Sequence, residues 1–272
     1  MDNRPIGIFD SGVGGLTAVR RLMQDAPRES IVYFGDNLRA PYGDRTAEEI
    51  RFLSRRNARF LRSQGVKALI VACNTSTANA MSLLAADNAD IPIAGTVGPT
   101  AAEAVRATKT GRIGVLATSA TIRSGLYEQT LRELLPGAEV ISRSCPKLVP
   151  LIETGHTRTG DPALMEALAE DLLPLREADV DTVVLGCTHY PLVSEAILDA
   201  LGREAVMVDS GAACVGAILT ALREMDGLAG PDAVPSARYL CSGSREGFVT
   251  VAREFLGFSI DDLTAETDVT DV

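Results

Sequence analysis

One pattern occurs twice in this chain and narrows the class of fold it can adopt. An apolar run, ALIVA, leads into Cys73 and then Asn-Thr-Ser, and a second run, TVVLG, leads into Cys187 and then Thr-His-Tyr. Each reads as a buried strand ending at a thiol that opens a helix. Around them, short apolar runs alternate with helical patterns: IGIF, IVYF, ALIVA and PIAG, then RIGVLA, EVIS, TVVLG and AVMV. This alternation predicts an α/β chain with mainly parallel sheets, because neighbouring parallel strands need a crossover, usually a helix, to join them. In open parallel sheets ligands bind at the carboxyl ends of strands, where both thiols fall.

The two sets of runs match in order. Ile6 pairs with Ile113, Cys73 with Cys187, and IAGTVGPTAAEAV from Ile93 with VMVDSGAACVGAI from Val206. The offset drifts only as loop lengths would make it drift, so the chain reads as an internal repeat. Two α/β lobes follow, residues 1–97 and 98–209, each presenting strand ends to a shared cleft. Residues 210–272 have no counterpart and either extend the second lobe or cross back to the first. The acidic end, DDLTAETDVTDV, lacks an apolar face and is expected to fray. Helix punctuation is legible: Thr46 and Glu49 form a capping-box pair with Gly65 as a stop, and Asp161-Pro162 starts a helix that Pro174 should kink or end.

Composition excludes several classes of function. A formal charge of −10 over 272 residues opposes a broad phosphate-binding surface, so no direct nucleic-acid contact is expected. No apolar stretch approaches the roughly 20 residues that span a bilayer, and MDNRPIGIFD lacks a signal-peptide pattern. No membrane association and a cytoplasmic location are therefore expected. The five cysteines are odd in number and too dispersed for a zinc pattern, which favours reduced thiols and no metal. A metal centre at Cys187 and His189 would need remote ligands. Only three lysines occur, Lys67, Lys109 and Lys147, none in a context suited to a pyridoxal Schiff base, so no cofactor is expected.

Buried core filling is the default for a free cysteine, and Cys145 and Cys214 fit it. Cys241 also ends a strand but has no partner in the repeat. Cys73 and Cys187 stand apart by position and by the polar residues that follow them. With a reference pKa of about 8.5, a thiol is only about 3% ionised at pH 7. A helix N-terminus recovers roughly 0.3–1 kcal/mol of that deficit, so each thiol needs a second group. Asp10 is the candidate for Cys73 and His189 for Cys187. The plainer alternatives are a helix-capping aspartate and a histidine bonded to a carbonyl.

The loop DSGVGGLT offers N–H groups at a helix start, a natural site for a substrate carboxylate. It also partly fits a dinucleotide fingerprint through Gly12, Gly14 and the later Asp36, but Thr17 stands where the third glycine belongs. A nicotinamide oxidoreductase is therefore an alternative, as is a non-catalytic amino-acid-binding regulator. The segment DNLRAPYG places Asp36, Tyr42 and Gly43 after a strand, where ordinary turn chemistry would also account for them.

Taken together, FDSGVGGLT, DNLRAPYG, ACNTSTA, GCTHYP and DSGAA closely resemble the bacterial glutamate racemases of the aspartate/glutamate racemase superfamily. The resemblance runs from Ile6 to about Gly257. It implies two lobes enclosing an amino acid, Cys73 and Cys187 as the acid and base, and no cofactor. It implies substrate contacts at Asp10, Ser11, Tyr42, Gly43, Asn74, Thr75, Thr188 and His189. Supporting acid/base roles are implied for Asp10 and His189, with Asp36 and Glu153 as weaker assistants. It also implies that the C-terminal segment returns to the first lobe, and that L-glutamate is converted to D-glutamate for peptidoglycan. An aspartate racemase or a related carbon-acid enzyme is the neighbouring alternative. A homodimer, control by a cell-wall precursor and an interaction with DNA gyrase vary among such proteins.

Overall fold

In the computed structural model, which describes residues 1–267 and 269, the apolar runs become strands in the order β1 Ile6–Asp10, β2 Ile31–Gly35, β3 Ala68–Val71, β4 Ile93–Gly95, β5 Arg112–Ala117, β6 Glu139–Ser144, β7 Thr182–Gly186, β8 Val206–Asp209, β9 Ala237–Cys241 and β10 Thr264–Glu266. They form a six-stranded sheet, β10-β9-β2-β1-β3-β4, and a four-stranded sheet, β6-β5-β7-β8. Every described pairing is parallel. β1, β2, β3 and β7 are buried along their whole length, which is why they read as unbroken apolar runs rather than as alternation. β6 borders the second sheet and is correspondingly more polar and more exposed.

The repeat is visible in the sheets: β1 lies between β2 and β3 as β5 lies between β6 and β7. The unmatched C-terminal strand β9 pairs with β2, in register from Ile31 with Ala237 to Gly35 with Cys241, so it belongs to the first sheet. The helices that follow β4 and β8 change sides. Helix 97–107 packs on β7 and β8 of the second sheet, whereas helix 210–224 packs on β3 and β4 of the first and on helix 16–25. The two crossing helices also touch each other, so the lobes are joined along a packed seam.

Local signals explain the helix boundaries. Thr46 and Glu49 form the full capping box, with Thr46 N–H donating to Glu49 Oε2 at 2.9 Å, and Gly65 follows the helix with φ 74°. Asp161 caps its helix by accepting from the N–H groups of Ala163 and Leu164. Three expectations need correction. Of the two outcomes expected at Pro174, a kink or an end, the end is not found: helix 162–177 runs three residues further, because Leu172 and Leu175 are fully buried and tertiary packing outweighs the one missing hydrogen bond. Cys187 opens a 3₁₀ turn, Tyr190–Val193, rather than an α-helix; the helix begins only at Ser194. The acidic end does not fray where it is described: β10 adds to the edge of β9, Thr267 N–H donates to Cys241 O at 2.8 Å, and Val269 is buried with Phe9, Phe34 and Phe60. One apolar anchor among many charges suffices there. Residues 268 and 270–272 of that expectation lie outside the described residues. Among the described residues, no helix is long and apolar enough to cross a membrane.

Candidate active site

The carboxyl ends of β1, β3, β5 and β7 meet at one cavity of about 460 Å³ between the lobes. Of the residues singled out in the sequence, Ser11, Tyr42, Gly43, Cys73, Asn74, Thr75, Glu153, Cys187, Thr188 and His189 all line it. Asp10 and Asp36 do not; they are buried immediately behind its wall.

Cys73 caps helix 74–87, and its Sγ accepts from Ser76 N–H at 3.4 Å. The helix terminus does not win here. Burial, followed by the negative charge of Asp10, pushes the Cys73 thiol up to about 11. Asp10 is itself raised by burial, against the opposing pull of His189 and of the Gly12, Gly15 and Ser11 N–H groups. Gly12 N–H donates to Asp10 Oδ2 at 3.0 Å. The loop amides expected to receive an external anion are thus turned inward onto Asp10.

That loop also lacks room for a dinucleotide. Gly14 lies against the second lobe, where a Cβ would overlap Thr188 Oγ1 and stand 2.5 Å from His189 Nδ1. The glycine is required by close approach of the two lobes, not by a pyrophosphate. Gly43 makes a similar approach to Thr118, and Ala120 N–H donates to Gly43 O across the same boundary.

At the other thiol, both nitrogens of His189 are engaged. Nδ1 lies 3.8 Å from Cys187 Sγ and 3.5 Å from Thr188 Oγ1, and Nε2 lies 2.9 Å from Glu153 Oε1. Burial disfavours the imidazolium, but the hydrogen bonds and charges of Cys187 and Glu153 outweigh it and raise His189 to about 10. Glu153, at the end of the short helix 148–153, is therefore a direct partner of His189, although its side chain is also partly open to solvent. The two thiols sit in opposite electrostatic surroundings, one beside a carboxyl and one beside a cation.

Asp36 organises the wall rather than facing the cavity. It accepts from Tyr42 Oη at 2.5 Å, from Arg56 Nη2 at 2.8 Å and from Ser242 Oγ at 2.7 Å. Asn57 Nδ2 in turn donates to Tyr42 Oη at 3.0 Å. Asn74 is held by Tyr127, whose hydroxyl donates to its Oδ1 at 2.6 Å, while Asn74 Nδ2 donates to Ser210 Oγ. Thr75 shares hydroxyl contacts with Thr118 and Thr121.

Some lining residues carry little or no mark in the sequence. Thr118 stands at the end of β5 as Ser11 stands at the end of β1, so the repeat itself could have located it. Pro146, Val149, Pro150 and Thr154 carry no such signal. Cys145, expected as core filling, is 1% exposed yet its residue also borders the cavity; burial, followed by the charge of Asp171, raises its thiol. Cys214 and Cys241 are buried away from it. Among the described residues, no three His, Cys, Asp or Glu side chains group as metal ligands.

The chain is similar to known proteins in sequence and in fold. The family profile described as Asp/Glu/Hydantoin racemase matches residues 11–218. A glutamate racemase of Desulforudis audaxviator is 44% identical over 258 residues, covering 93% of each chain. The crystal structure of a glutamate racemase isoform from Bacillus anthracis superposes with a TM-score of 0.92 at 37% identity, over 98% of both chains. A Francisella tularensis glutamate racemase, solved in complex with D-glutamate, superposes with a TM-score of 0.93 at 31% identity over the full length of both.

Proposed function

Because this chain belongs to the Asp/Glu/Hydantoin racemase family and is an isomerase of the glutamate racemase type, we propose that it interconverts L- and D-glutamate by proton transfer between Cys73 and Cys187. The observation that carries this reading is the placement of two thiols at equivalent strand ends of two similar lobes, both bordering one cavity. Two-base inversion of a carbon centre uses a base on one face and an acid on the other.

The asymmetry of the site suggests the starting protonation states. Cys73, raised to about 11, holds its proton and serves as the acid. Cys187, 3.8 Å from Nδ1 of the His189 ring that Glu153 holds through Nε2, serves as the base. Cys187 removes the α-proton of the enantiomer that presents it, the electron pair passes into the adjacent carboxylate, and Cys73 delivers its proton to the opposite face. The product complex holds Cys187 as thiol and Cys73 as thiolate, the starting point for the reverse reaction. After product release, exchange with water takes a proton from Cys187 and returns one to Cys73, restoring the first state, with the Asp10 and His189 charges as supporting groups beside the two thiols.

General acid/base catalysis typically contributes about 10²- to 10⁴-fold, so the developing enolate-like charge needs donors as well. The hydroxyls of Ser11, Thr75, Thr118 and Thr188 surround the cavity for that purpose, with Tyr42 and Gly43 closing one wall. Exclusion of water by the closed seam would strengthen each of these contacts. We assign the activity to the cytoplasm and to the supply of D-glutamate for peptidoglycan.

The test uses the purified protein with each glutamate enantiomer in deuterated water, following optical rotation and α-deuterium together. Loss of rotation with deuterium entering the product is expected, and slower turnover of aspartate. Wild-type rates in Cys73→Ala or Cys187→Ala would rule out the two-thiol mechanism, and faster aspartate turnover would rule out the substrate.

A further inference from the structure

The C-terminal segment, which has no counterpart in the repeat, reaches the reacting groups from behind. Helix 245–256, capped by Ser244, places Phe248 and Phe255 two turns apart on one buried face. Phe248 packs against Tyr33, with ring centroids 6.1 Å apart, and Tyr33 Oη donates to Gly12 O at 2.7 Å. Phe255 packs against His189, with centroids 5.2 Å apart and ring planes at 87°. That separation lies within the range of about 4.5–7 Å in which edge-to-face rings attract. Phe255 does not line the cavity, so it does not meet the substrate.

The contact matters because of how His189 is used. Cys187 and Thr188 lie at Nδ1, the Thr188 contact long at 3.5 Å, and Glu153 lies at Nε2. Rotation of the ring plane about the Cβ–Cγ bond would carry both nitrogens away from these partners. None of them blocks that rotation strongly: the Cys187 contact is long at 3.8 Å, and the Glu153 side chain is 41% exposed. Asp10 acts on His189 only through its charge. The perpendicular, fully buried ring of Phe255 is the aromatic neighbour of the imidazole on this side.

We propose that Phe255 is a positioning residue for racemisation, holding the His189 ring in the one orientation that joins Glu153 to Cys187. The proposal builds on the two-thiol reading above. It accounts for the unmatched segment, since through it the first lobe carries a strut that sets the proton-transfer geometry of the second.

The experiment compares Phe255→Leu and Phe255→Met, which both replace the aromatic ring with an apolar chain but differ in shape, with Phe248→Leu as a control in the same buried face. Phe255→Leu should lower kcat about tenfold in both directions while KM stays within twofold, and Phe255→Met should follow it. Phe248→Leu should lower thermal stability comparably with less than a threefold change in kcat. The chain has only two histidines, so ¹⁵N-histidine spectra with His156→Asn identify His189 directly. Wild-type protein should show nuclear Overhauser contacts between the His189 and Phe255 rings, and the Phe255 variants should broaden or split the His189 resonances. Unchanged His189 spectra in a folded Phe255 variant, equal kcat losses in the Phe255 and Phe248 variants, or absence of the wild-type ring contact would overturn the proposal. Failure of the wild-type protein to racemise glutamate would instead overturn the function on which it builds.

Discussion

Gly14 and His189 touch across the boundary between the lobes with no room for a methyl group: a Cβ on Gly14 would stand 2.5 Å from His189 Nδ1. Gly14→Ala must therefore part the lobes or turn the imidazole away from Cys187. Overpacking of this kind costs about 1–3 kcal/mol in stability. The effect on catalysis should be larger, a fall of about a hundredfold in kcat/KM, because a displacement near 1 Å is enough to spoil proton transfer. Steady-state kinetics alongside circular dichroism checks it, and a variant within threefold of wild type would show that the approach is not needed.

Each single-thiol variant should retain half of the chemistry. Cys73→Ala keeps the Cys187–His189 pair and should exchange the α-proton of one enantiomer with solvent without inverting it, whereas Cys187→Ala should exchange only the other. Racemisation should fall by at least about 10³-fold in both, in keeping with loss of an essential acid or base. Proton NMR of glutamate in deuterated water reads exchange and inversion separately. Exchange of both enantiomers by one variant would point to a different base.

The charge on His189 predicts a pH dependence of stability. Its folded value is raised to about 10 from the ordinary 6.5, so the folded state binds the proton more tightly than the unfolded chain. The resulting stabilisation is complete below about 6.5 and is lost as pH rises toward about 10. His189→Asn removes it. The melting-temperature gap between wild type and this variant should be widest near pH 6 and shrink steadily toward pH 10. A constant gap would mean that His189 is not held as the cation.

Asp36 and Glu153 share one expectation in the sequence, that of assistants to the thiols, and their surroundings separate them. Asp36→Asn removes the charge that matches Arg56, whose side chain is 6% exposed, and breaking a buried pair from one side costs about 3–5 kcal/mol. Urea unfolding should show that loss together with reduced activity through a loosened Tyr42. Glu153→Gln disturbs a partner that is 41% exposed and should cost under about 1 kcal/mol while lowering kcat about tenfold. Equal stability losses in the two variants would contradict the distinction.

The strands and the paired thiols were legible because parallel strands buried on both faces leave unbroken apolar runs, and a repeat announces itself. The same repeat matches Thr118 to Ser11, so that lining residue was within reach of the sequence. Properties created only by distant contacts were not legible. A helix start at Cys73 suggested a lowered thiol, but burial beside Asp10 reversed the direction. The glycines of the first loop suggested an anion site, whereas the loop amides turn toward Asp10 and Gly14 admits the second lobe. Asp36 resembled a ribose-binding acid in spacing alone, and its partners Arg56 and Ser242 lie far along the chain. Pro174 obeyed its packing rather than its propensity.

The exchange of helices 97–107 and 210–224 between the sheets has a consequence for recombination. A chimera cut at the end of β4 or β8 would separate a sheet from the helix that covers it and leave an apolar face of each parent against an unfamiliar partner. The heritable modules of this architecture are therefore not its visible halves. A viable crossover must carry a sheet together with the covering helix encoded by the other half, so exchanges inside such a gene should survive mainly where β1–β4 and helix 210–224 come from one parent.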